Sequence, residues 1–181
     1  YWRDWSSDVC SSDLKNVDRL VVAFGRATLG DTRLVVVGGD GNGRADLDRA
    51  IDGLPPDARR RVHVLGRLDD SDAAWVLHHA AALAYPSLDE GFGFPLLEAM
   101  DAEVPIVAST AGSIPEVAGD AALLVDPLDV DALAGALETV ISDDEVRSRL
   151  VAAGHARGGQ FSWTLAADRM IDLYGRIVAD G

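Results

Sequence analysis

Apolar positions along this chain change their period in a regular order. Over residues 16–28, Val17, Leu20, Val21 and Phe24 recur at helical spacing, and Gly30 with Asp31 punctuates the end. Residues 34–37 form a short continuous apolar run rich in valine, which predicts a strand covered on both faces. The glycine-rich stretch 38–43 predicts a turn, a polar helix follows over 44–51, and Leu54, Pro55 and Pro56 stop it. Residues 62–65 read as the next strand, followed by a helix capped by Ser71 or Asp72. A strand is expected over 82–85, a loop over 86–93, and a helix over 94–103 with Pro95 in its first turn, where a missing N–H costs nothing. Two short strands, 106–108 and 122–125, flank a small helix at 114–117; beyond Pro127 only helical periods remain, over 130–141, 145–156 and 164–178. Strands alternating with helices predict an α/β fold, a Rossmann-like doubly wound parallel sheet. Its terminal helices would pack on the sheet edge or reach toward another domain.

Residues 1–14 interrupt this order. They hold Trp2, Trp5 and the sole cysteine, Cys10, among serines and aspartates, with neither a strand nor a helix period. The segment lacks the basic and apolar regions of a signal peptide. RDWSSDVCSSDL is similar to the translation of sequencing-adapter DNA, so residues 1–14 are expected to be a non-native or disordered segment. The domain proper is then residues 15–181, including the C-terminal helices.

Composition narrows the function. The 181 residues carry 30 acidic and 16 basic side chains, a formal charge of −14, and a sequence pI near 4.4. That balance argues against nucleic acid as a partner, because a phosphate backbone is met by a basic stripe. No apolar run reaches the length of a membrane span. A lone cysteine fits a reducing, cytoplasmic setting. Only six of the acidic residues are Glu, and Lys15 is the only lysine, so these rare residues mark positions to follow.

In a doubly wound sheet, ligands bind where strand ends meet helix N-termini. Three glycine-bearing loops fall there: Gly38 to Gly43, Gly66 with Arg67, and Gly91 with Gly93. The first lacks the lysine of a Walker loop and the register of a dinucleotide fingerprint, and by itself reads equally as a plain turn. The third places two glycines before a helix, where backbone N–H groups and the dipole favour an anion. Glu90 precedes those glycines and Glu98 lies eight positions further on, so the two carboxylates are offered from a loop and from a helix. Both accept hydrogen bonds from vicinal hydroxyls. Spacing alone equally admits Glu98 as a solvated helix residue and Glu90 as a partner of the helix dipole. His63, His78 and His79 lack the spacing of metal ligands and read as structural, and no metal site is expected. Trp163 reads as a packing anchor for the last helix.

The stretch YPSLDEGFGFPLLEAM, followed by VPIVAST, GSIPEVAGDAALLVDP and FSW, closely resembles the C-terminal, donor-binding half of retaining GT-B glycosyltransferases of the bacterial mannosyl- and glucosyltransferase type. The resemblance covers about residues 15–178. It implies two Rossmann-like domains facing across a cleft, of which this chain carries one, with the partner acceptor domain missing and the first strand of its own sheet missing too. By position, Glu90 lies against the donor sugar, near the reacting carbon, and is the candidate catalytic residue, as a sugar-positioning group and not a covalent nucleophile. Glu98 accepts from ribose hydroxyls, Gly91, Phe92 and Gly93 touch sugar and diphosphate, and Lys15 binds phosphate. Gly38 and Gly39 line the pyrophosphate pocket, while Gly66, Arg67 and Leu68 flank the base. The donor implied is a GDP- or UDP-sugar, transferred with retention and without a cofactor to an acceptor glycan or lipid-linked sugar. The full-length enzyme would be cytoplasmic or membrane-associated, and this chain by itself inactive.

Two positions depart from the family. The Gly-Arg pair before the phosphate lysine is absent, with Arg3 a chemical but not a positional substitute, and Glu103 stands where glycine is usual. Two other readings stand beside it: a nucleotide-sugar epimerase-like isomerase, which would lack the spaced Glu pair and FSW, and a non-catalytic nucleotide-sugar-binding fragment.

Overall fold

A computed structural model describes residues 2–3, 12–39 and 43–179. Cys10, Trp5 and residues 40–42 of the expected glycine turn lie outside the described residues. The strands are β1 (Trp2–Arg3), β2 (Leu34–Val37), β3 (Val62–Gly66), β4 (Leu83–Tyr85), β5 (Ile106–Ser109) and β6 (Ala122–Val125). Hydrogen bonds group them as β1-β2-β3 and β4-β5-β6, parallel throughout. β1 lies beside β4, so the spatial order is 3-2-1-4-5-6. The order reverses between β1 and β4, and there the connections leave toward opposite faces and open a crevice at the carboxyl ends of the strands.

The helices are α1 (Val17–Arg26), α2 (Arg44–Asp52), α3 (Pro56–Arg59), α4 (Asp70–His78), α5 (Phe94–Asp101), α6 (Ile114–Ala118), α7 (Val130–Ser142), α8 (Asp144–Gly158) and α9 (Trp163–Ala179). α1 packs against α2 and α7, and α5 packs against α6 and α8. Between them one continuous core runs through Leu20, Val21, Leu83, Leu96, Ile106, Val107, Leu133 and Val140. The periodicity of α1 is the reason for its seat: Val17, Leu20, Val21 and Phe24 are all buried. β4 and β5 are buried at every position, as continuous apolar runs in a parallel sheet require. Among the described residues β3 has one neighbouring strand, and its residues alternate between half-buried and exposed, with His63 outward.

Several expectations meet a different outcome. In place of the missing first strand, Trp2–Arg3 pairs with Val36 and Val37. The edge of a parallel strand presents unpaired backbone groups that any extended dipeptide can satisfy, whatever its side chains. Pro56 does not merely stop α2; it sits at the first position of the short helix α3. The cap of α4 is Asp69, not Ser71 or Asp72: its carboxylate accepts from the Asp72 amide and the Ser71 hydroxyl, both at 2.8 Å. Those bonds, the Asp72 amide foremost, hold the Asp69 carboxyl below the usual carboxylate range. Trp163 is 82% exposed and anchors nothing among the described residues. The packing falls to Phe161, whose ring meets Phe92 edge-on at 6.0 Å and carries the Arg157 guanidinium at 5.1 Å. α9 as a whole stands clear of the core, with Met170, Ile171, Tyr174, Ile177 and Val178 all exposed.

Candidate functional site

The crevice is built from the connections that follow β1 and β4. A 3-10 turn, Ser12–Lys15, delivers Lys15 to it, and the Leu14 carbonyl accepts from the Leu88 amide at 2.7 Å, fastening that turn to the loop after β4. Lys15 is buried, at 4% exposure, and its Nζ donates to Glu90 Oε1 at 2.7 Å. Tyr85, the last residue of β4, donates its hydroxyl to the same oxygen at 2.5 Å. The two rare residues of the sequence therefore form one ion pair, with side-chain exposures of 5% and 11%. Removing one partner of so buried a pair leaves an uncompensated charge, at a cost of roughly 3–5 kcal/mol.

Asn16, the next residue, is fully buried and left-handed, with φ 58°. Its side-chain amide donates to the carbonyls of Pro86 at 3.0 Å and Pro127 at 2.7 Å, tying the loops after β4 and β6 to the start of α1. Asparagine tolerates this backbone region and supplies two amide hydrogens, and here one residue uses both properties. On the other side of the loop, Ser113 donates its amide and its hydroxyl to the Glu90 carbonyl, at 3.1 and 2.9 Å. Gly112 makes that approach possible. At φ +55°, a Cβ there would lie 2.7 Å from the Glu90 nitrogen and 2.8 Å from its carbonyl oxygen.

Gly93 caps α5 with φ 89°, and no side chain occupies the cap, so the helix presents its first N–H groups beside Gly91 and Phe92. No acidic residue sits in that first turn. Gly91 and Phe92 also line a cavity of about 380 Å³ with Ser113, Arg157, Phe161 and Arg169. Glu98 lies one turn into α5, half-buried, with its Oε2 turned inward. Further along the same rim, Gly38 and Gly39 follow β2, and the Gly38 amide donates to the Gly66 carbonyl at the end of β3. Arg67 is exposed, whereas Leu68 packs against the core.

The structure thus brings Lys15 and Glu90 into contact and places the glycine loops on one rim of the sheet. Sequence reasoning missed Asn16, Tyr85, Gly112 and Ser113. For Asn16 the available signal was an asparagine directly before a helical period; for Gly112 it was a glycine before the Ser-Ile-Pro helix start. His79 stacks on Trp75 at 4.1 Å between ring centres and bonds the Trp75 carbonyl, a local helix-end arrangement. Among the described residues, no group of three metal-ligating side chains is found.

Comparison with solved structures places this architecture among the Rossmann-like domains of GT-B glycosyltransferases. The Anabaena protein HepE in complex with UDP matches 97% of this chain with a TM-score of 0.81 at 23% identity, using 48% of its own length. The C-terminal domain of a glycosyl transferase group 1 family protein from Francisella tularensis matches 87% of the chain with a TM-score of 0.71 at 22% identity, and 80% of that domain is covered. Residues 12–157 match the family described as glycosyl transferases group 1, and the chain belongs to it. Among curated relatives, the O-antigen chain mannosyltransferase B of Escherichia coli is 42% identical over 113 residues, which are 62% of this chain and 30% of that protein. The matched stretch is thus 30% of the length of that mannosyltransferase and 48% of that of HepE. Among the described residues, no helix is long and apolar enough to cross a membrane.

Proposed function

We propose that this domain is the donor half of a retaining glycosyltransferase and binds a nucleoside-diphosphate sugar, GDP- or UDP-linked, at the crevice between β1 and β4. The carrying observation is the buried Lys15–Glu90 pair at the reversal of strand order, set beside a helix start without a side-chain cap. HepE has been solved with UDP and with UDP-glucose, which supports a nucleotide sugar as the ligand class.

In this reading Lys15 turns from Glu90 to the diphosphate, and the Gly91, Phe92 and Gly93 backbone and the α5 N-terminus share its charge. Stabilising the charge that develops on the leaving diphosphate is the largest contribution such a site makes. Glu90 positions the sugar through its hydroxyls, Glu98 accepts from the ribose, Gly38 and Gly39 line the pyrophosphate pocket, and Gly66, Arg67 and Leu68 flank the base. No cofactor is required by this chemistry. The acceptor, a glycan or lipid-linked sugar, is held by a second domain that covers the exposed apolar face of α9, and the enzyme works in the cytoplasm or at its membrane surface. The chain alone binds donor without turnover.

Calorimetric titration with UDP, GDP and their glucose and mannose conjugates tests this. Micromolar to millimolar binding of one nucleotide series, weakened about tenfold or more in Glu98→Ala by loss of charge-assisted hydrogen bonds, is the expected result. Indifference of the folded wild-type chain to every nucleotide overturns it.

A further inference from the structure

The Glu90 carboxylate is held by two donors on one oxygen. Lys15 Nζ and the Tyr85 hydroxyl both reach Oε1, at 2.7 and 2.5 Å, and among the described residues Oε2 accepts no hydrogen bond. The terminal torsion of a glutamate is broad, so its rotamer alone does not decide which oxygen faces where. Hydrogen bonds decide it here, and they leave Oε2 as the oxygen on offer. Tyr85 is suited to this work. It is 1% exposed, at the end of a strand buried at all its positions, and its ring lies beneath Lys15 Nζ, 5.7 Å from the ring centre.

We propose that Tyr85 is a positioning residue for the donor sugar, acting through Glu90 by fixing Oε1 and so presenting Oε2 to a sugar hydroxyl. This rests on the reading that Glu90 faces the sugar. The two donors are not equivalent in that reading. A diphosphate draws Lys15 away from Glu90, whereas nothing in a nucleotide sugar competes for a hydroxyl enclosed at the base of the crevice. Tyr85 is then the donor that keeps the carboxylate aimed once the site is loaded, and its effect is largest on the sugar and smallest on the nucleotide.

The test compares wild type, Tyr85→Phe and Glu90→Gln by calorimetry with UDP, UDP-glucose, GDP and GDP-mannose as probes, each variant first shown to melt cooperatively. Tyr85→Phe keeps the buried ring and deletes only the hydroxyl. The expected result is that the preference for nucleotide sugar over bare nucleotide falls about tenfold, the scale of one hydrogen bond to a charged group, with bare-nucleotide affinity unchanged within about twofold. Equal weakening of both ligands, or an unchanged preference in Tyr85→Phe where Glu90→Gln erases it, overturns the positioning role. If Glu90→Gln also leaves the preference unchanged, or no probe binds, the sugar-facing reading of Glu90 itself falls, and the proposal with it.

Discussion

At the scale of single residues, two left-handed backbone positions act in opposite ways. Glu103 closes α5 with φ 57°, in the left-handed region, and its side chain is exposed. A non-glycine residue there costs about 1–2 kcal/mol, part of which a glycine returns through the entropy of the unfolded chain. Glu103→Gly is therefore expected to stabilise the domain by about 1 kcal/mol, seen as a melting temperature higher by roughly 2–4 °C. Gly112 behaves in the opposite way. The Cβ of Gly112→Ala would press on the backbone of Glu90, at a positive φ that alanine disfavours. Overpacking of this kind costs about 1–3 kcal/mol, and the displaced Glu90 should weaken donor binding as well. Differential scanning calorimetry and ligand titration of the same variant check both effects.

These residues also mark how far a sequence carries. Lys15 and Glu90 stood out by composition, a lone lysine and one of six glutamates in a chain that prefers Arg and Asp, and they meet in the structure. Asn16 and Gly112 did not stand out, because what they do is non-local. The amide of Asn16 reaches Pro86 and Pro127, 70 and 111 residues away, and Gly112 faces a backbone 22 residues earlier in the chain. No local period encodes such a partner.

At the scale of elements, periodicity located β2, α1 and α7, since each carries a buried stripe or run that only one structure explains, and it located α9 too, although the apolar stripe there is exposed. Ends were harder. The start of α4 offers Asp69, Asp70, Ser71 and Asp72 as caps, and the choice depends on which residue leaves helical backbone angles; Asp69 does, with ψ 169°. Its cap bond contributes fully at neutral pH and is lost on acidification through its lowered titration range. α9 is the element that the rest of the chain supports least. Among its described side chains only Leu165 is half-buried and the rest are exposed, so a chain ending after Phe161 is expected to lose less than about 1 kcal/mol, within roughly 2–4 °C in melting temperature. The same truncation should reduce self-association, measured by sedimentation, because it removes the exposed apolar side chains Met170, Ile171, Leu173, Tyr174, Ile177 and Val178.

At the scale of the whole molecule, the sheet is two three-stranded halves meeting where β1 offers two residues to β2 and lies beside β4. The halves are also joined by α1 against α7, by the Leu14–Leu88 backbone bond, by the Asn16 amide and by the Lys15–Glu90 pair. Nearly every one of these links begins in the few residues between the 3-10 turn and α1. That concentration bears on cooperativity. A donor molecule held between Lys15 and the α5 N-terminus would bridge the two halves, so its binding energy becomes resistance of the whole sheet to opening along its middle. Occupancy and mechanical integrity are then coupled at one seam, and slow amide exchange along β2 and β4 becomes a gauge of how often that seam is filled.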